Sequence, residues 1–294
     1  MALTLTEGAK LSNDVVLAGV IETIVKDSPV LQRLPFIGLV GNALTYNREN
    51  AAAGAAWYAV GDTWTEGTPT FTQVTATLKI LGGDADVDQY LATTRSNIQD
   101  LEAAVVELKA KAVRQEFEDV FVNGDGTGNK FSGIKSAIIG GQTASMGTNG
   151  AALTLARLDE LIDLVKPGRP DLLMLSKRSR RGLTALVRAS GAFMETRQTE
   201  FGAFQEFYAG IPLGVSDYIS DAETHGSATT ASRIYALQVG EGAVAGLQGP
   251  GGLQVERVGN LETKDAVRWR IKWYTGLAVF SDLSLAQLTG VLPV

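Results

Sequence analysis

The sequence contains no cysteine and a single histidine, His225, and these two scarcities remove whole classes of chemistry. Without thiols there is no disulfide, no thiolate nucleophile and no Cys-ligated metal, and one imidazole cannot build a multi-histidine metal site. Long apolar runs are missing as well: no stretch reaches the ~18 uninterrupted apolar residues that span a bilayer. No basic-then-apolar leader opens the chain, so neither membrane residence nor secretion is expected. Internal repeats and low-complexity linkers are absent. What is present, 45% hydrophobic and 20% charged residues in 294, suits a folded chain with a sizeable core. At ~100–200 residues per domain the length accommodates one or two domains.

The net charge of −6 is unevenly spread. From Thr45 to Tyr90, Arg48 and Lys79 stand against Glu49, Asp62, Glu66, Asp84, Asp86 and Asp88, a net −4. From Lys166 to Arg197, eight basic residues, among them Lys177, Arg178, Arg180 and Arg181, face Asp171 and Glu195, a net +6. Such opposed fields are either two solvated surfaces or a means of steering copies of the chain together.

Periodicity predicts an amphipathic helix over 12–26, ended by Pro29. Helical spacing then vanishes, and the β-prone text from Ala43 to Leu91 predicts two strands around a tip near Gly61–Pro69. An isolated two-stranded hairpin is marginal in water, so a partner surface is implied, from this chain or another copy. A long helix follows, capped at Ser96 or Asn97, with apolar positions at Ile98, Leu101, Val105, Leu108, Ala112, Phe117, Val120 and Phe121. Two shorter helices are expected from Thr154 or Leu155 to Lys166 and after Ser176, with the apolar run Leu172–Leu175 between them as a buried strand. Further strands are expected near Gly214–Ser216, Ile234–Leu237 and Leu253–Val258. Val267, Trp269, Ile271 and Trp273 alternate with Arg268, Arg270, Lys272 and Tyr274 as in a half-buried strand. Residues 140–150 and 221–232 are expected to be loops. Helices and strands mix without a regular βαβ beat, which predicts an α+β fold.

No motif announces catalysis. Gly124, Gly126 and Gly128 follow a helix with the wrong spacing for a dinucleotide fingerprint, and a calcium loop starting at Asn123 would place Ile134 where a bidentate Glu is required. Both readings yield to a turn. His225 lies in an expected loop with no nucleophile marked beside it. Asp84, Asp86 and Asp88 share one face of a strand, where they form a solvated surface, bind a cation or meet a basic partner. Lys177-Arg178-Ser179-Arg180-Arg181 opens a helix against its dipole, so a compensating anion is expected, either phosphate or carboxylates of a neighbouring copy. Trp57, Tyr58 and Trp64 lie near the tip of a hairpin too thin to bury them, which suggests a contact surface.

The order of these pieces resembles the major capsid proteins of tailed bacteriophages with the Hong Kong 97-like fold. The resemblance rests on an arm ending Ser28-Pro29-Val30-Leu31, a hairpin with Trp57-Tyr58 and Thr63-Trp64-Thr65-Glu66-Gly67, and the strand end Asp86-Val87-Asp88. A long helix then stops at Asn123-Gly124-Asp125-Gly126 before Phe131-Ser132-Gly133-Ile134. Leu173–Ser176, Ala209–Asp217 and Val267–Arg270 leading to Gly276–Val279 carry it through the second half. The resemblance implies an N-terminal arm over 1–44, an extended loop over 45–90, a peripheral domain with a spine helix over 91–140 and 251–277, and an axial domain over 141–250 and 278–294. It implies pentamers and hexamers closing into an icosahedral head around non-specifically held double-stranded DNA, with a portal and scaffolding or cement proteins as partners and no membrane. The extended loop would lie across a neighbouring subunit. Trp57, Tyr58, Trp64, Glu66, Asp84, Asp86 and Asp88 become candidate contacts on that loop, and Arg178, Arg180 and Arg181 candidate contacts on the basic side. The product would be a non-enzymatic virion component, assembled in the host cytoplasm, without cofactor or metal. Two departures from the family pattern stand out. Some members crosslink through a lysine in the extended loop, yet none occurs from Thr45 to Leu78; some carry a long N-terminal scaffold segment that is not seen here. An encapsulin, a bacterial compartment of the same fold enclosing a cargo enzyme, is the nearest rival, and a soluble α+β enzyme using the acidic segment and the Gly-rich turn is the rival from another class.

Overall fold

The computed structural model describes residues 29–51, 53–89, 98–198 and 204–293; the helix expected over 12–26 lies outside them. In chain order the elements are β1 (Phe36–Gly38), β2 (Ala43–Ala51), β3 (Thr70–Thr77), β4 (Lys79–Asp88), α1 (Ile98–Asn123), α2 (Ile134–Ala137), β5 (Thr143–Ser145), β6 (Ala151–Ala152), α3 (Leu155–Leu164), β7 (Leu172–Leu175), α4 (Lys177–Ala189), β8 (Glu195–Gln198), β9 (Phe204–Tyr208), β10 (Ile211–Val215), β11 (Glu223–His225), β12 (Ala228–Leu237), β13 (Val244–Asn260), β14 (Ala266–Val279) and β15 (Leu285–Leu292). They form three sheets. A four-stranded sheet runs β1-β13-β14-β4, a larger mixed sheet runs β5-β15-β12-β7-β10-β9-β8 with β6 and β11 at its side, and β2-β3 stand as a two-stranded ribbon.

The first core forms because β14 alternates: Val267, Trp269, Ile271 and Trp273 are buried, while Arg268, Arg270, Lys272 and Tyr274 lie on the other face. The 26-residue α1 packs on the buried face, and Phe117, fully buried, meets Trp273 at 4.9 Å and Phe131 at 5.7 Å between ring centroids. Its buried stripe is Val106, Ala110, Val113, Phe117, Val120 and Phe121. This differs from the expected stripe. Leu108 is 66% exposed and Ala112 is exposed, whereas the charged Glu118 is buried.

The helix ends as the Gly-rich text requires. Gly133 N–H donates to the Gly124 carbonyl at 2.9 Å, Gly124 N–H donates to Val120 at 2.8 Å, and Thr127 N–H donates to the Asp125 carboxylate at 3.0 Å. A Cβ on Gly133 would lie 2.4 Å from the Val120 carbonyl oxygen, so the returning chain reaches the helix end only as bare backbone. This is a turn, as expected.

The second core lies between the larger sheet and α3 and α4. All four residues of β7 are buried, Thr154 caps α3 by accepting from Arg157 N–H, and Ser176 caps α4 by accepting from Ser179 N–H. Both expected loops contain structure. Residues 143–145 pair in parallel with β15, and 223–225 pair with β12 as a short hairpin. His225 is accordingly held on a strand, half-buried, its Nε2 lying 2.8 Å from the Gly147 carbonyl oxygen.

Candidate assembly interface

Among the described residues, the ribbon is left largely uncovered by the rest of the chain. β2 and β3 pair antiparallel from Ala43↔Thr77 to Ala51↔Thr70. At its base, Leu44, Tyr46, Ala76 and Leu78 rest on a small cluster of Leu39, Leu247 and Ala278. Beyond that base it carries no core. Residues 79–88, read as part of the same extended loop, instead form β4 of the four-stranded sheet, in register with β14 from Lys79↔Thr275 to Asp88↔Ala266.

The tip organises itself locally. Tyr58 stacks on Trp64 at 4.5 Å between centroids, and its hydroxyl accepts from Thr65 N–H at 3.0 Å. Ala59 N–H donates to the Asp62 carboxylate at 2.6 Å across a turn at Gly61, whose φ is +95°. Trp57 and Val60 are fully exposed, Trp64 is 79% exposed and Glu66 is exposed. Singly exposed apolar residues are ordinary, but several at the end of one projection form an exposed patch of the kind that interaction sites use.

The acidic face is arranged otherwise than expected. Asp84 receives Arg270 through two hydrogen bonds of 2.7 and 2.9 Å, and Asp86 receives Arg268 in the same bidentate way, again at 2.7 and 2.9 Å. Arg270 and Arg268 hold the carboxyls of Asp84 and Asp86, respectively, below the usual range. The basic partner anticipated on an adjacent copy is therefore, for these two, the outward face of β14 in the same chain. Asp88 occupies the register position opposite Ala266.

The basic cluster of α4 is likewise compensated from within. Lys177 pairs with Asp217 at 2.7 Å, Arg178 with Asp221 at 3.4 Å and Arg180 with Glu206 at 3.5 Å, while Arg178 also donates to the carbonyls of Asp221 and Thr230. Asp221 also accepts a hydrogen bond from the capping Ser176 hydroxyl at 2.6 Å. The expected anion at this helix N-terminus is thus an intrachain carboxylate. Arg181 is exposed and makes no ion pair among the described residues.

Two arrangements escaped the sequence reading. Glu223, on β11, is gripped by Lys135 of α2 at 2.6 Å and by Arg233 of β12. Burial alone would raise its pKa; the hydrogen bonds from Lys135 and Arg233 outweigh that and hold it below the usual range. Arg48, at the ribbon base, reaches Asp282 and the Val279 carbonyl. The one sequence signal for Arg48 is that it is the sole cation from Thr45 to Leu78. Among the described residues no group of His, Asp and Glu is arranged to hold a metal, and no helix is long and apolar enough to cross a membrane.

Residues 8–289 match the model of the phage capsid family. No curated protein matches the chain in sequence. Among solved structures, the holo-SrpI encapsulin complex from Synechococcus elongatus PCC 7942 is similar with a TM-score of 0.72 at 20% identity, over 89% of this chain and 86% of that one. The capsid of an empty GTA particle gives 0.66 at 17% identity over 90% of each chain, and Microbacterium phage Oxtober96 gives 0.65 at 16% identity over 91% of each. Since the family match runs from residue 8 to residue 289, nearly the whole length, this chain belongs to the phage capsid family.

Proposed function

We propose that this protein is the major capsid protein of a tailed phage, a structural subunit that assembles as pentamers and hexamers into an icosahedral head holding double-stranded DNA. The observation that carries this reading is the ribbon. Among the described residues its strands bury no side chain beyond their base, and its aromatic tip is exposed, so the chain presents an unfinished surface that a second copy completes. Residues 43–77 act as the extended loop, α1 as the spine of a peripheral domain with the four-stranded sheet, and the larger sheet with α3 and α4 as the axial domain. A portal and scaffolding or cement proteins are the expected partners, and assembly in the host cytoplasm the expected route.

The charges that steer the loop are not Asp84 and Asp86, which are satisfied within the chain. From Glu49 to Leu78 the ribbon has Glu49, Asp62 and Glu66 and no basic residue, so its receiving surface carries exposed cations, of which Arg181 is one candidate. Electron microscopy of the purified full chain tests the reading: closed shells are expected, and a chain that remains monomeric at every concentration and salt condition would overturn it. The encapsulin reading is favoured by one observation, the 0.72 TM-score. Particle contents separate the two, with DNA in particles from producing cells expected for a head and a co-purifying protein cargo for a compartment.

A further inference from the structure

We infer that Arg48 is the positioning residue that fixes the direction in which the ribbon leaves the body, and with it the geometry in which copies meet. The inference rests on the reading of this chain as a shell subunit and adds how the loop is aimed.

Three donors converge on one carbonyl. The Tyr46 hydroxyl donates to Val279 O at 2.8 Å, Arg48 Nε donates to the same oxygen at 3.1 Å, and Arg48 Nη2 also donates to it. The remaining arm of the guanidinium, Nη1, pairs with the Asp282 carboxylate. Tyr46 and Arg48 are two apart on β2 and so project from one face, and the Tyr46 ring packs on Phe280 at 4.7 Å between centroids. The clasp thus holds residues 279, 280 and 282 together, and a planar five-donor fork is the side chain suited to bridging a carbonyl and a carboxylate at once.

The place of the clasp gives it consequence. Val279 ends β14 of the four-stranded sheet, and Leu285 begins β15 of the larger one, so the clasped segment is the connection between the two sheets. That connection is itself tied down: Phe280 N–H donates to Ala243 at 2.8 Å, Lys166 N–H to Leu283 at 2.9 Å and Gln238 N–H to Ser284 at 2.8 Å. Arg48 is the last residue of β2 to reach the body. Beyond its cross-strand pair with Thr72, no hydrogen bond or ion pair among the described residues ties the ribbon to the body, and Phe71 is 64% exposed. Without the guanidinium, the free part of the ribbon pivots on the Leu44–Tyr46 contact. A loop that adopts the binding orientation only part of the time weakens every contact by that fraction. In a closed shell the loss recurs at each subunit.

The absence of cysteine makes the test direct. Spin labels on Thr63→Cys at the tip and Glu241→Cys on the body report the distribution of ribbon directions in the unassembled full chain, while microscopy of the unlabelled chain counts closed shells and measures their diameters. Arg48→Ala is expected to broaden the distance distribution, lower the yield of closed shells about tenfold and scatter their diameters, with circular dichroism unchanged. Arg48→Lys, which keeps the charge and loses the fork, is expected to fall between, and Thr72→Ala to match the parent. A distribution as narrow in Arg48→Ala as in the parent would overturn the clasp. Broadening with parental shells would overturn its role in assembly. A parent that forms no shells would overturn the assembly reading instead, and the distance measurement would still decide the clasp.

Discussion

At the scale of single residues, the paired carboxylates set the response to acid. Asp84, Asp86 and Glu223 have folded-state pKa values below their ordinary values, because Arg270, Arg268 and the Lys135/Arg233 pair favour the charged forms. A depressed carboxyl contributes stability that is present above its unfolded value, about 4, and is lost as pH falls through the lower folded value. The thermal midpoint should therefore be level from neutral pH to about 5 and decline below about 4. The double variant Asp84→Asn with Asp86→Asn should flatten that decline by about as much as it lowers the midpoint at pH 7, and both changes should be small, since partly exposed pairs are weak. Identical pH curves for variant and parent would show that these pairs are not the titrating ones. Glu223→Gln differs, because it leaves Lys135 and Arg233 without a counter-charge. A loss of about 2 kcal/mol at neutral pH is expected, seen as a midpoint lower by roughly 5 °C for a chain of this size.

At the scale of elements, the test falls on the seam between α1 and what it carries. Phe117→Ala removes a ring that touches Phe36, Phe121, Phe131 and Trp273, and should cost about 3–5 kcal/mol. Gly133→Ala forces a methyl against the Val120 and Phe121 carbonyls, and should cost about 1–3 kcal/mol although the residue is not a φ-positive glycine. A parental midpoint for Gly133→Ala would show that the turn relaxes freely. These elements also mark what the sequence could tell. The alternation of Val267–Tyr274 was readable because one face of a strand is buried and the period is local. The ribbon was readable because its polar β-prone text had nothing to pack on. The phase of α1 was not, since its buried stripe runs through Ala110, whose small side chain announces nothing in a count of large apolar residues. Nor were the partners of Asp84 and Asp86, because register between strands 182 to 186 residues apart leaves no local trace. Arg48 belongs with them: its partners lie 231 to 234 residues away.

At the scale of the whole molecule, the question is how a shell of such subunits resists disassembly. A ribbon without lysine from Thr45 to Leu78 offers no ammonium for an isopeptide bond to a neighbour, so non-covalent attachment is the expectation to test. Stability must then be the sum of many modest contacts closed by symmetry, anchored by tip aromatics and steered by charge. Two consequences follow from that physics. Shells boiled in detergent should resolve as one band at 31.1 kDa, with no ladder of linked multimers. Because Glu49, Asp62 and Glu66 are exposed and uncompensated by any cation in the ribbon beyond Arg48, their attraction to another copy is screened within a Debye length of about 8 Å at physiological ionic strength. Assembly followed by light scattering should therefore slow as salt rises, and the charge-neutral variant Asp62→Asn with Glu66→Gln should lose much of that dependence. Trp64→Ala should leave the salt response in place and lower the temperature at which shells fall apart, since it removes burial and not charge. If instead the tryptophan variant changed the salt response and the neutral variant did not, the division of labour between tip rings and ribbon carboxylates would be wrong.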